Sequence, residues 1–400
     1  MSFLTPVDIA KEAASHCGQY PITTFQDNTR QAVEINNCYD NMRQAELSRH
    51  TWLFSVRRAR LRPISSTTQL WTPPAHNAAT TYTVGQVVTF ASSTYDNGHS
   101  YPWILMVPSD VGDNPDTSAN WSHYFGPVTI DVFDSGQTYA AGEVALVPPT
   151  YSAGTTYAAN NIVTDSSNNI WVSLVGANTG NTPSSSPTFW TPWVLPSSGS
   201  PSTTPIITFQ SAPSIFLCIQ NEQTPPTPVV FPAASPNWTN VGGTVQQVTI
   251  LWPMNAGPLD AGVNSTSTAM NLYRLPFGWL RPSSIPFGNA RAKHPWLGAL
   301  RGNTPLDPVY QGQYFTCWST GPVDLDFIAD IADVTIMPAQ FCHTLAIRIA
   351  KHIDGPLTES KNSQKLNAAY REITGEAMRV DMIIQGDPEN DLEELIQVRF

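Results

Sequence analysis

The sequence predicts an α+β protein in which helical hairpins at the two termini form one bundle around a large inserted region of small antiparallel β modules. Three observations predict it. Apolar residues recur at spacings of three and four near both ends of the chain. Lys and Arg are absent from Pro63 through Tyr273, a run of 211 residues. Inside that run a Tyr-bearing turn motif recurs three times, bounded by Asn, Gly, Ser and Pro.

The first helix is expected over about Pro6 to Cys17. Thr5 is a good N-cap, Pro6 suits the first helical position and Asp8 completes a capping-box-like pattern. Ala10, Ala13, Ala14 and Cys17 share a face, and Gly18 with Pro21 stops the helix. A second helix is expected from about Asn28 to His50, with Ile35, Cys38, Tyr39, Met42 and Ala45 on one stripe. Arg58-Ala59-Arg60-Leu61-Arg62 then alternates as an exposed strand edge does. At the other end, Pro338 opens a third helix with Cys342, Leu345, Ala346, Ile349, Ala350 and Ile353 on its apolar stripe, ended by Gly355-Pro356. A fourth runs from about Thr358 to Ile384, before Gly386 and Pro388. Each hairpin has an apolar face left over, so the two are expected to pack together, as residues 1–63 and 270–385 of one domain.

Between them, 64–269 reads as β modules. Thr81-Tyr82-Thr83-Val84-Gly85-Gln86-Val87-Val88, Thr138-Tyr139-Ala140-Ala141-Gly142-Glu143-Val144 and Thr156-Tyr157-Ala158-Ala159-Asn160-Asn161-Ile162-Val163 are similar to one another. Two copies continue to a Trp, at Trp121 and Trp190, giving modules over about 71–125 and 151–195. A third would join 127–150 to 205–257, where Trp238 lies, with 151–195 nested inside it. The tail, 386–400, is acidic and then apolar. Leu395, Ile396, Val398 and Phe400 belong to an alternating end that either stays disordered or adds a strand to a partner.

Of the 400 residues 13% are charged, and the 35 Pro outnumber the 24 Gly. The net charge of −11 is nearly all the insert's: its ten acids stand without a cation, while 1–62 carries +2 and 274–400 carries −3. Such a chain does not grip nucleic acid through a broad basic surface. No apolar run reaches 18 residues, so no membrane span is expected. The start Met1-Ser2-Phe3-Leu4 has no basic region before an apolar stretch, so no secretory signal is expected. The five Cys are widely spaced with no Cys-x-x-Cys, which fits buried reduced thiols rather than zinc or a disulfide framework. The eight His make no short metal-ligand pair, and neither a Gly-rich phosphate loop nor a Gly-x-Ser-x-Gly elbow occurs. No cofactor and no catalytic residue are assigned. Arg57, Arg58, Arg60 and Arg62 fit either DNA phosphate contacts or ion pairs with acids of a neighbouring subunit. The second reading is favoured, because four arginines are too few to dominate an acidic chain.

Three segments carry a resemblance. The first is Ala45-Glu46-Leu47-Ser48-Arg49-His50-Thr51-Trp52-Leu53-Phe54, with Arg57-Arg58-Ala59-Arg60-Leu61 after it. The second is Asn271-Leu272-Tyr273-Arg274-Leu275-Pro276-Phe277-Gly278-Trp279-Leu280-Arg281. The third runs from Phe327-Ile328-Ala329-Asp330-Ile331 through Met337-Pro338 and Phe341 to the Leu357-Thr358-x-Ser360 turn. In this order they resemble the tail tubular protein A, or head-to-tail adaptor, family of short-tailed bacteriophages. The resemblance implies a structural virion protein and not an enzyme. It would form a homo-oligomeric ring, twelve-fold in the family, between the portal protein and the tail nozzle protein. It would be assembled in the host cytoplasm, and DNA would pass through without specific binding.

The insert is the departure, since the family spans that interval in a few tens of residues. Its modules resemble the small carbohydrate-binding modules of chitinases, with a Tyr-x-x-Gly-x-x-Val start and a Trp-bearing end. Gln86 stands where that family usually has Asp, and the 151–195 copy replaces Gly with Asn160 or Asn161. The resemblance makes Tyr82, Tyr101, Trp121, Tyr157, Trp171, Trp190 and Trp193 candidates to stack on sugars. In modules this small, most aromatics must instead build the core. The insert would project outward and bind host glycans, tail fibres or neighbouring tail proteins. The alternative is a glycan-binding protein or glycoside hydrolase of the tail with the helices as scaffold.

Overall fold

A computed structural model describes residues 3–65, 67–91, 100–108, 111–194, 207–220, 231–248, 271–283, 300–301, 309–311, 313–317 and 321–385. The chain is α+β. Helix α1 is Pro6–His16, α2 is Arg30–Leu47, α3 is Ala339–Thr358 and α4 is Ser363–Gln385. The Asp8 carboxylate accepts the Thr5 backbone N–H at 3.0 Å at the start of α1. Thr29 caps α2 by accepting the Ala32 N–H. Gly18 ends α1 at φ +67°, where the Gly18 and Gln19 N–H groups close back on Ser15 and Ala14.

Helix α3 differs from expectation, because it runs through Gly355 and Pro356 to Thr358. Pro356 falls in the last turn, where a missing N–H costs one hydrogen bond and the chain is about to leave the helix anyway. The stop comes at Glu359, φ +56°. The buried Asp354 then organises the turn, accepting the Thr358 hydroxyl, the Asn362 N–H at 3.2 Å and the Asn362 side-chain amide at 3.0 Å. That turn moves the start of α4 from the expected Thr358 to Ser363.

Helix α3 packs against α1, α2 and α4. Its Phe341, Leu345, Ile349 and Ile353 are buried in one core with Ile9, Ala13, Ile35 and Tyr39 from the N-terminal helices. The same core takes in a sheet ordered Val56–Leu61, Val323–Ala329, Trp279–Pro282, with Leu300–Arg301 also on the central strand. Trp52, Phe54, Tyr273, Leu275, Trp279, Phe327 and Phe341 all contribute to it.

The middle of the chain is β. A six-stranded sheet runs in the order Trp238–Asn240, Ser214–Cys218, Val144–Val147, Thr129–Val132, Gln69–Thr72, Thr244–Gln247. One pair in it is parallel, Thr129–Val132 with Val144–Val147, whereas the sequence suggested antiparallel pairing throughout. Flanking it are sheets of Val87–Ala91, Ser100–Leu105 and Trp121–His123, and of Ile162–Thr164, Ile170–Ser173 and Trp190–Pro192.

Three copies of one local geometry occur. Tyr82, Tyr139 and Tyr157 each accept at the hydroxyl the backbone N–H of the residue five before, Asn77, Asp134 and Ser152. Each stacks on an earlier ring, His76, Phe133 or Tyr151, and meets a Trp edge-on, Trp121, Trp238 or Trp190. The turn after each Tyr has a positive φ, at Gly85, Gly142 and Asn160. Gln86, Glu143 and Asn161 follow, and each side chain accepts the N–H of the residue three before. Asn tolerates the left-handed region better than other non-glycine residues, so Asn160 replaces Gly there.

These glycines separate two costs. A Cβ at Gly142 meets nothing within 4 Å, while one at Gly85 would stand 2.5 Å from the Ile219 Cγ2. Gly142→Ala is therefore expected to lose about 1–2 kcal/mol in urea unfolding, from backbone strain alone. Gly85→Ala is expected to lose about 3 kcal/mol, since overpacking adds to the strain. Equal losses would refute the assignment.

Candidate functional site

The arginine row lies on the strand Val56–Leu61, paired antiparallel with Val323–Ala329 so that Arg58 faces Asp326 and Arg60 faces Asp324. Arg58 Nε donates to the fully buried Asp326 at 2.7 Å. Arg60 lies 3.6 Å from Asp324 and 3.4 Å from Glu143. Arg62 pairs with Glu143 at 2.9 Å, donates to the Thr138 carbonyl at 3.0 Å and covers the Tyr139 ring at 4.4 Å. Arg57 donates to the Phe54 and Val56 carbonyls and lies over the Phe125 ring. The acids that meet this row belong to the same chain, one of them to the β insert. Burial pushes the Glu143 carboxyl up, with Arg62 and Arg60 pulling it back.

A second seam lies beside it. Arg43 on α2, wholly buried, donates to Asp330 and to the Ile331 carbonyl. Gln44 donates to the same carboxylate at 2.8 Å. Tyr101 from the insert donates to Asp330 at 3.4 Å and accepts from Arg43 at 3.5 Å. His123 packs against Trp103 with ring centres 3.9 Å apart and the rings tilted, and it stacks on Phe125. Burial, then the Arg43 and Arg57 charges, lowers its pKa to about 3. Nearby, Asp131 accepts the Thr68 hydroxyl at 2.5 Å, and burial raises it above the ordinary carboxylate range.

The aromatic candidates divide. Tyr82, Trp121, Tyr157 and Trp190 are buried in the cores of their own copies, where ring packing takes up their faces. Tyr101 is half-buried against the Arg43–Asp330 pair. Trp171 is half-buried and donates to Asp165 at 2.9 Å. Trp193 is half-buried against the core of the six-stranded sheet. The structure does not gather these rings into one platform: Tyr101 faces the helical part, while Trp171 and Trp193 serve different clusters. Leu395, Ile396, Val398 and Phe400 lie outside the described residues.

Among the described residues no group of three or more His, Cys, Asp or Glu is placed to hold a metal ion. Cys17, Cys38, Cys218 and Cys342 are buried thiols. No described helix is long and apolar enough to cross a membrane. Sequence reasoning missed Glu143, Asp324, Asp326 and Asp330. One signal pointed to Glu143: it is the charged member of a position that is Gln86 and Asn161 in the other copies. The chain matches no known family model and no curated protein sequence.

Two measurements probe these seams. Glu143→Gln keeps an acceptor for the Ala140 N–H and removes the charge, so it isolates the ion pairs. It is expected to lose about 1–2 kcal/mol, and Glu143→Ala about 1 kcal/mol more by losing the turn bond as well; equal stability of wild type and Glu143→Gln would refute the pairing. His123 is held neutral in the fold, so below its ordinary value of about 6.5 only the unfolded chain takes up that proton. Its contribution is intact above that pH and falls by up to about 1.4 kcal/mol per pH unit below it. Urea midpoints between pH 7.5 and 4.5 should show this slope, reduced by close to one proton in His123→Phe.

Proposed function

We propose that the chain is a structural virion protein, a head-to-tail adaptor that forms a ring between the portal and the tail nozzle and extends the DNA channel. The observation that carries this reading is the convergence of the three family-like segments. Trp52 and Phe54, Tyr273 and Trp279, Phe327 and Phe341 lie far apart in sequence and pack in or against one core. Residues shared with a family in separate segments have a common reason to be kept when they build one body. The helical part, from both termini, is the portion that would dock on portal, nozzle and neighbouring subunits. DNA would pass a host part that is nearly balanced in charge, +2 over 1–62 and −3 over 274–400, with no broad basic surface to hold it.

The insert is proposed to sit outside the ring and to contact neighbouring tail proteins, tail fibres or host glycans. Contact through its fold surface is the better supported of these, because four of the seven stacking candidates are core residues. The homo-oligomer would be a dodecamer, located at the head–tail junction of the virion.

Solution mass by light scattering and a cryo-EM view of the virion test the reading. A ring of many copies seated under the portal is the expected result. A monomer that cleaves saccharides would overturn it in favour of a tail glycoside hydrolase. Replacing 66–265 by a short linker, with assembly and adsorption measured separately, assigns the insert. Lost assembly with unchanged adsorption points to packing.

A further inference from the structure

The helical part carries a charged cleft that the adaptor reading does not use. It is an open cleft of about 350 Å³ lined by Ala45, Arg49, Arg348, Lys351 and Tyr370. Its floor is organised around a carboxylate. Glu46, fully buried, accepts Arg348 at 2.6 Å and the Tyr370 hydroxyl at 2.6 Å. Arg49 donates to the same Tyr370 hydroxyl at 2.5 Å and lies over the ring. Lys351 sits 4.4 Å from the ring centre and, among the described residues, has no ion-pair partner. Three cations, Arg348 and Lys351 from α3 and Arg49 just past the end of α2, thus line a cleft whose own anion is already engaged beneath them. Burial, then the Arg348, Arg49 and Arg371 charges, holds the Lys351 ammonium below its ordinary value, and only Glu46 works the other way. The surplus is positive, in a chain of net charge −11.

A surplus of cations held by fixed partners is suited to an oxyanion. Carboxylate fits better than nucleic-acid phosphate. Nucleic acid binds through a row of contacts along its backbone, whereas this is one concave cleft with three lining cations on an acidic protein. Glu46 also shows that these groups accept a carboxylate. The chain itself supplies more. Asp387, Glu389, Asp391, Glu393 and Glu394 place five acids within eight residues directly beyond α4, the helix that carries Tyr370. Those residues lie outside the described ones. From Tyr370 to Gln385 is about 22 Å of helix, and the nine residues 386–394 span about 30 Å when extended. The run can therefore reach a cleft of its own chain or that of a second copy.

We propose that this cleft is the receptor for the acidic run Asp387 to Glu394 of this chain. The inference does not depend on the adaptor reading.

The test uses the full chain with the five tail acids neutralised, Asp387→Asn, Glu389→Gln, Asp391→Asn, Glu393→Gln and Glu394→Gln, and a labelled peptide of residues 386–400 read by anisotropy. The peptide is expected to bind, more weakly at 500 mM than at 50 mM salt. Lys351→Glu, checked by thermal melting, is expected to weaken binding at least tenfold. A peptide with Glu393→Lys and Glu394→Lys is expected to recover binding on that variant. The same neutralised chain separates the two sources. If its mass in solution falls below that of the intact chain, the run docks in a second copy. If the mass is unchanged and the intact chain rejects the peptide, the run docks in its own chain. Absent binding, equal affinity for Lys351→Glu, or displacement by duplex DNA at lower concentration than by unlabelled peptide would each overturn the proposal.

Discussion

An insert with ten acids and no cation must find counter-charges elsewhere for any carboxylate it buries. This constraint organises the molecule. Glu143 is 2% exposed and belongs to the insert, but its partners Arg60 and Arg62 belong to the host strand. Asp131, which burial raises, is eased first by the Thr68 hydroxyl of the insert and then by Arg62 of the host. At the second seam the sharing runs the other way: the host pair Arg43–Asp330 takes a phenol, Tyr101, from the insert. Buried ion pairs add little net stability, since desolvation offsets most of their attraction. Breaking one is costly all the same, so the pairs act mainly to hold host and insert in a single relative placement.

The three local copies show how that linkage is made from a repeated part. In each, the residue after the left-handed position accepts a bond inside its own turn and also reaches outward. Gln86 donates to the Asn240 carbonyl of the strand that ends the Tyr139 copy. Asn161 donates to the Thr208 hydroxyl. Glu143 pairs with the host arginines. The turn needs an acceptor there, and Gln, Asn and Glu all supply one. The outward half is free to vary, and only the copy whose turn residue meets the host arginines carries a charge there.

The α+β class was legible because it rests on local periodicity, as in the Leu345, Ile349, Ile353 stripe of α3. Capping was legible at Thr5, where Pro6 and Asp8 lie within three residues, but the cap of α2 at Thr29 was not, since the helix was expected from Asn28. The α3 end was not, because Asp354 sets it by bonding Asn362 across a turn. The site was less legible than the fold. Alternation along Arg58 to Arg62 showed an arginine row, but its partners lie about 80 and 260 residues away in sequence. Aromatic residues could not be sorted into binders and core by type, since Tyr82 and Trp171 look alike until burial separates them.

The same pairings limit where this protein can meet a negatively charged partner. Arg43 and Arg58 are engaged by Asp330 and Asp326, Arg60 and Arg62 by Glu143, and Arg57 by backbone carbonyls and an aromatic ring. Freeing Arg43, Arg58, Arg60 or Arg62 to bind DNA would strand a buried carboxylate, a cost of several kcal/mol that a single exposed phosphate contact does not offset. Cations held by a phenol and a floor carboxylate, as at Arg49 and Arg348, are different, because an incoming anion adds to their contacts rather than replacing them. A positive surface on this chain is therefore better sought where α3 and α4 meet the end of α2 than along the arginine row.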